Sequence, residues 1–198
     1  MLPNDTYWKS ARPPGGRITS VKDLKYASIM TSRGCPFACS YCHIAGETED
    51  SSSGFIGKFR IKSDERVKEE LNILKNDLGV KQIYIEDDSI FGRKRRGIRL
   101  LRNIMDLGLD LMGVNGINMV HLVKKSNKKG WLVPDEEIIE LMHQVGFKFV
   151  HLPFESANPR ILKKWCSNKL PLESFDPGNL IQTVKKYKIN VGTNYMIG

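Results

Sequence analysis

From Ala27 onward, short apolar runs alternate with stretches whose apolar residues recur at helical spacing, the rhythm of a chain built as strand, helix, strand, helix. ASIMTS (27–32) predicts a strand ending at Arg33 and Gly34, and DERVKEELNILKNDLG (64–79) an amphipathic helix with Val67, Leu71, Leu74 and Leu78 on one face. Ser63 or Asp64 is suited to cap that helix, and Gly79 to close it in the left-handed conformation. KQIYIE (81–86) reads as a second strand, IRLLRNIMDLG (98–108) as a second helix, and LDLMGVNGIN (109–118) as a third strand running into a glycine-bearing turn. PDEEIIELMHQVG (134–146) has proline at its first position, acids in its first turn and glycine at its end, as a helix should. FKFVHLPFE (147–155) is a fourth strand, PRILKKW (159–165) and PGNLIQTVKKYK (177–188) are helices, and INVGTNYMI (189–197) is a fifth strand.

Five such repeats imply right-handed crossovers and a parallel α/β sheet. Residues 1–26, interrupted by ARPPGGR, read as a linker or tail, and 27–198 as one domain; Ser51, Ser52 and Ser53 read as a loop tip. With 40% hydrophobic and 27% charged residues among 198, the chain has material for a single core. No run of about 18 apolar residues offers a transmembrane helix, and the opening MLPNDTYWKSARPPGG lacks a signal-peptide pattern, so a cytoplasmic protein is expected.

Charge and cysteine spacing sharpen this picture. A formal net charge of +9 raises the weight of an anionic partner, with GRKRRGIRLLR (92–102) and KKSNKKG (124–130) as the basic runs. A run of this kind reads first as a solvated face, and no common RNA-binding module is present. Three of the four cysteines, Cys35, Cys39 and Cys42, fall within eight residues on the loop leaving the first strand, while Cys166 is remote. That distribution argues against a disulfide framework and for a bound metal centre. Three thiolates on one short loop can converge on an iron–sulfur cluster and leave one of its four irons open for chemistry. The competing reading, structural zinc with His43 as fourth ligand in a nucleic-acid interaction module, needs adjacent Cys42 and His43 on one ion and has no second ligand pair. Among the histidines, His143 and His151 read as structural, and His121, just past the third strand, as the one to test.

The motif Cys35-x3-Cys39-x2-Cys42, with Tyr41 before the last cysteine, resembles the radical S-adenosylmethionine (SAM) enzymes, and the resemblance runs from about Ala27 to Gly198. IYIEDDSIF (83–91) is similar to the family's second-strand acidic motif, LPFESANPRILKKW (152–165) to its fourth-strand motif, and NYMIG (194–198) to the start of its fifth-strand motif. TSRGCPFACSYC together with LPFESANPRIL looks most like the branch that also uses cobalamin.

The resemblance implies a partial (β/α)6 TIM-like barrel with about five of six units. It implies that Cys35, Cys39 and Cys42 bind a [4Fe–4S] cluster whose open iron chelates SAM, and that an electron from the cluster cleaves SAM to a 5′-deoxyadenosyl radical. It further implies that Tyr41 faces the adenine through its backbone and that Glu86, Asp87 and Asp88 reach the SAM amino group or ribose. Glu155 and Ser156 would contact SAM polar atoms, Met196 would pack on the adenine, and Asn194 stands where a glycine is more usual. The implied partners are a small-molecule substrate and an electron donor of the flavodoxin or ferredoxin type, with nucleic acid not favoured and no membrane. Cobalamin would come through a domain absent from this chain, since only 34 residues precede Cys35. Five strands instead of six make a fragment with a truncated C-terminal end the expectation. Within this reading a cobalamin-dependent methyltransferase leads, and a methylthiotransferase-like RNA- or protein-modifying enzyme is the alternative.

Overall fold

The computed structural model of the chain describes residues 8, 24–47, 54, 56–127, 130–166 and 173–196. In chain order the elements are β1 (Tyr26–Ile29), β2 (Ser32–Arg33), α1 (His43–Gly46), β3 (Arg60–Ile61), α2 (Asp64–Asn76), β4 (Gln82–Ile85), α3 (Lys94–Ile104) and β5 (Asp110–Gly113). They continue through β6 (Val123–Lys125), β7 (Leu132–Pro134), α4 (Glu136–Val145), β8 (Phe147–Glu155), α5 (Pro159–Trp165), α6 (Pro177–Lys186) and β9 (Asn190–Tyr195), with 3₁₀ turns at Met105–Leu107 and Met119–His121. Five strands form one parallel sheet in the order β1-β4-β5-β8-β9, the sequential order that helical crossovers generate. The predicted α/β class and its five parallel strands are therefore the observed architecture.

The centre of the sheet is buried on both faces, while the edge strand β9 is largely exposed. β4 is buried at all four positions: Ile83 and Ile85 face the helices, where Val67, Leu71, Leu100, Leu101 and Ile139 pack, while Tyr84 turns the other way onto Tyr26 and Met112. Strand alternation thus feeds two apolar clusters from one short run, as parallel sheets require. Trp8, from the segment read as a tail, packs against the smaller cluster and donates its Nε1–H to the Tyr26 carbonyl at 2.7 Å.

Helix boundaries depart from expectation where side chains do more than fill a core. Ser63 caps α2 by accepting from the Arg66 amide at 3.2 Å. α3 begins at Lys94, four residues before the apolar pattern signals it, because Arg96 is drawn inward rather than left in solvent. Its guanidinium lies 3.3 Å from Asp64 and donates to the Thr31 hydroxyl and to the carbonyls of Thr31 and Lys62. The basic run is therefore not simply a solvated face. Pro134 is not in α4 but ends β7, opposite Val123, and Asp135 takes the N-cap position; a short paired strand tolerates a residue without an N–H at its edge. The first strand stops at Ile29 instead of residue 32, because Thr31 and Ser32 turn onto the carboxylate of Asp87. The antiparallel pairs β2–β3 and β6–β7 were not foreseen, being too short to carry a period. The Ser51–Ser53 reading and the last residues of the fifth strand lie outside the described residues.

Removing Arg96 would leave Asp87 buried without its cation and Asp64 with Arg99 alone. Arg96→Met is expected to lower unfolding stability by about 3 kcal/mol in urea denaturation, whereas Arg93→Met on the exposed neighbouring turn should stay within about 0.5 kcal/mol.

Candidate active site

The C-terminal ends of the parallel strands meet the loop after β1 around a cavity of about 400 Å³. Cys35, Cys39, Tyr41 and Cys42 come from that loop, Asp88 and Ser89 follow β4, Asn115, Gly116 and Asn118 follow β5, His151, Pro153 and Glu155 belong to β8, and Asn194 to β9. α/β folds place their sites at this edge, where side chains from several strands converge on one opening.

The cysteine loop is held by its own backbone and by the strands beneath it. Gly34 sits at φ 73°, and a Cβ there would lie 2.5 Å from the Gly57 carbonyl oxygen, the same oxygen that accepts the Cys35 amide at 3.2 Å. Only glycine lets the two segments cross that closely. Asp88 accepts the Gly34 amide at 3.0 Å, and the Cys42 amide closes a turn onto the Cys39 carbonyl at 3.0 Å before α1 starts. Cys39 is buried, and Cys35 and Cys42 are half-buried. Burial pushes the Cys35 thiol above its ordinary value, and negative charge on Cys39, Cys42 and Asp88 acts in the same direction against a backbone hydrogen bond from Phe37.

Among the described residues no three His, Cys, Asp or Glu side chains stand as the shell of a single ion. A four-iron cluster asks something different of its ligands, one thiolate on each of three irons, and three thiols along one cavity wall fit that demand.

Three consecutive acids after β4 take three directions. Glu86 accepts the Ser28 hydroxyl at 3.2 Å, Asp87 is buried against Thr31 and Ser32, and Asp88 borders the cavity. Burial raises the Asp87 carboxyl from its ordinary value, opposed by its hydrogen bonds and by Arg96. Of the residues singled out by motif, the three cysteines, Tyr41, Asp88, Glu155 and Asn194 line the cavity, whereas Glu86, Asp87, Ser156 and Met196 do not. The Ser156 hydroxyl accepts the Asn158 amide at 3.1 Å, and Met196 is largely exposed while its amide donates to the Glu155 carbonyl at 2.8 Å.

The motif reading missed Asn115, Asn118 and His151. Asn115 was findable as a polar residue in the glycine turn of VNGIN directly after an apolar strand, and it donates to the Glu86 carbonyl at 2.7 Å. His151 reaches the cavity because alternation along β8 puts residues 151 and 153 on one face. Cys166 is buried at the end of α5, where the neighbouring Trp165 carbonyl accepts the Ser40 hydroxyl at 2.9 Å.

The family model described as the radical SAM superfamily matches residues 29–198. The chain belongs to the radical SAM superfamily. An uncharacterized methyltransferase of Pyrococcus horikoshii is 32% identical over 203 residues, an alignment covering 100% of this chain and 36% of that protein. Cytidylyl-2-hydroxyethylphosphonate methyltransferase of Streptomyces wedmorensis is 26% identical over 175 residues, covering 88% of the chain and 29% of the relative. The chain thus spans about a third of the length of the curated relatives it matches. Among solved structures, the radical SAM methyltransferase TsrM from Kitasatospora setae, with cobalamin and a [4Fe–4S] cluster bound, superposes with a TM-score of 0.65 at 19% identity, covering 88% of this chain and 31% of that one. At that identity the likeness establishes the fold of this radical SAM chain.

His121 lies behind the cysteine loop, buried, with its ring centroid 5.5 Å from that of Phe37 and 6.1 Å from that of Phe91. Among the described residues its Nε2 has no hydrogen-bond partner. Burial, reinforced by the charge of Lys94, lowers its pKa to about 4. The folded state then holds the ring neutral while the unfolded chain protonates at about pH 6.5. Stability is therefore expected to fall by about 3 kcal/mol as the pH drops from about 6.5 to 4. His121→Phe, which cannot titrate, should flatten that part of the stability–pH curve relative to wild type in urea titrations.

Proposed function

We propose that the chain is the radical SAM core, residues 27–198, of a cobalamin-dependent methyltransferase. One observation carries the reading: three thiols of a single short loop share a cavity with polar groups from the ends of β4, β5, β8 and β9. On this reading Cys35, Cys39 and Cys42 hold a [4Fe–4S] cluster and leave one iron without a protein ligand. When bound, the cluster supplies a reducing electron to SAM, and cobalamin supplies a methyl carrier.

The chain's own residues bind and orient. Asp88 offers an acceptor to the SAM amino group, Glu155 one to the ribose, and Asn194 a further polar contact, while Tyr41 borders the adenine. Asp87 acts at one remove by fixing Thr31 and Ser32 at the root of the cysteine loop. Glu86, Ser156 and Met196 frame the rim through the segments they anchor. The wall formed by Phe37 and Pro153 keeps water from the reacting centre.

Methyl transfer is supported by the names of the relatives, which are methyltransferases and methylases acting on a phosphonate nucleotide, a bacteriochlorophyllide and hopanoids, and by the cobalamin in TsrM. They favour this reading over the methylthiotransferase and zinc-module alternatives. We take the substrate to be a small molecule, as in the TsrM complex with tryptophan, and the electron donor to be a cytoplasmic flavodoxin or ferredoxin. Cobalamin would be carried by a domain outside this chain. No helix of the described residues is long and apolar enough to cross a membrane.

Anaerobic reconstitution with iron and sulfide tests the proposal. Electron paramagnetic resonance of the reduced protein should give a cluster signal that shifts when SAM is added, and a signal indifferent to SAM would defeat the assignment of the open iron. Alanine at Cys35, Cys39 or Cys42 should abolish cluster loading, and Cys166→Ala should retain it.

A further inference from the structure

A second cavity, of about 560 Å³, opens where α3 begins and is lined by Ile61, Arg93, Lys94, Arg95, Arg96 and Arg99. Every lining side chain but one is cationic. Three of them have their charge met within the fold: Arg96 and Arg99 share Asp64, and Lys94 lies 3.3 Å from Asp135. Arg93 and Arg95 are exposed and, among the described residues, have no ion pair. The neighbouring β2–β3 pair adds two more such cations. Arg33 stands directly opposite Arg60, both exposed and neither in an ion pair among the described residues. Like charges facing each other across a strand pair cost stability. Arg60 also precedes Ile61, the apolar member of the cleft, which is 38% exposed. This face backs onto the cysteine loop. Arg33 lies two residues before Cys35, and Gly92, next to Arg93, packs against the loop itself. A Cβ at Gly92 would lie 2.7 Å from the Phe59 ring and 3.0 Å from Pro36, the residue after Cys35. The Gly92 amide donates to the Ser89 carbonyl at 2.9 Å, and Ser89 lines the cysteine cavity. A single turn therefore has the cysteine cavity at one end and the basic cleft at the other.

We propose that Arg33, Arg60, Arg93 and Arg95, around Ile61, form the docking face for an acidic electron-transfer protein. The inference rests on the radical SAM reading, in which a cluster at Cys35, Cys39 and Cys42 must receive its electron from outside the chain. In each encounter one electron leaves the donor, which is oxidised, and reduces the cluster; no bond or proton changes hands at the cleft. The chemistry of the face suits a protein surface rich in carboxylates. Guanidinium groups pair with carboxylates through two parallel N–H bonds, and an exposed isoleucine among arginines matches the apolar centre and charged rim of protein interfaces. Nucleic acid is served less well, because no aromatic side chain lines the cleft to stack a base. Rim charges act chiefly on the rate of encounter, which suits a small complex that forms and parts once per electron.

The test uses reconstituted, cluster-loaded protein at low ionic strength, with iron and sulfide measured for every variant. Binding of oxidised flavodoxin and of oxidised ferredoxin is read on an anaerobic biosensor, and cluster reduction by each reduced donor in stopped flow. Wild type should bind at least one of the two. Arg60→Gln combined with Arg95→Gln should bind that donor about tenfold more weakly and be reduced by it about tenfold more slowly, both losses shrinking as salt is added. Photoreduced 5-deazariboflavin, small and neutral, should reduce variant and wild type within about twofold of each other, since it has no charge for the face to steer. Lys81→Gln combined with Lys185→Gln removes the same charge beside the start of β4 and in the last turn of α6, at the opposite edge of the sheet, and should stay within about twofold of wild type with the protein donor. The arginine pair relieves the opposition of Arg33 and Arg60, so it should unfold in urea no earlier than wild type. Unchanged donor binding and reduction in the arginine pair overturns the inference, as does an equal loss in the lysine pair or a wild type that binds neither donor. An equal slowing with 5-deazariboflavin would mean that the cluster itself was disturbed, and overturns it too. Loss of mixed-sequence RNA binding with donor reduction intact would assign the face to nucleic acid and overturn it. Wild-type protein that takes up no cluster would instead defeat the radical SAM reading, an outcome the iron and sulfide assay shows before any donor is added.

Discussion

The arrangement depends on one buried cation. Arg96 sits where the end of β1, the end of β4 and the first turns of α2 and α3 converge, and it meets each of them: the Thr31 hydroxyl and carbonyl, the Asp64 carboxylate at 3.3 Å, and the field of Asp87. Asp87 in turn accepts the Thr31 amide at 2.6 Å and the Thr31 and Ser32 hydroxyls at 2.7 and 2.5 Å. Two buried carboxylates around one guanidinium form a network in which no member is tolerable alone. Its product is positional as well as energetic. Thr31 and Ser32 lie at the root of the cysteine loop, so the network decides where that loop departs relative to Asp88 beyond the neighbouring strand.

The same network explains what could and could not be read from sequence. β8 and α5 fall on the residues that periodicity assigns to them, because apolar spacing there reports burial directly. The start of α3 was hidden because its buried side chain is an arginine, which a polarity pattern counts as surface. The three acids 86–88 read as one motif, yet successive residues leaving a strand point to different faces. Only Asp88 reaches the cavity, while Asp87 is consumed by the fold. The cysteines, Tyr41, Glu155 and Asn194 were legible as a group because they fall at strand ends and in a spaced motif. Their mutual contacts were not. Tyr41, on the loop after the first strand, and Glu155 line the same cavity, and the register shift between Pro153 and Glu155 leaves no trace in composition.

Charge gives a parallel lesson. The run from Arg93 to Arg102 reads as a strongly basic surface, but Arg96 and Arg99 share Asp64, and Lys94 shares Asp135 with Lys124. Part of the basic run's charge is therefore already complemented inside the fold, and the run by itself says little about a nucleic-acid partner.

The cysteine loop completes the electrostatic argument on the proposed reading. Burial alone raises the Cys35 thiol, and each further negative charge nearby, on Cys39, Cys42 or Asp88, raises it again. Three bare thiolates beside a carboxylate are thus a configuration the empty loop disfavours. On that reading a cluster held by Cys35, Cys39 and Cys42 would supply the opposite charge and offset the mutual repulsion of its ligands. Burial and the neighbouring negative charges favour the protonated form of Cys35, while Asp87 and Arg96 pin the strand end from which the loop departs. Preorganisation in this molecule therefore resides in the sheet and its buried ions.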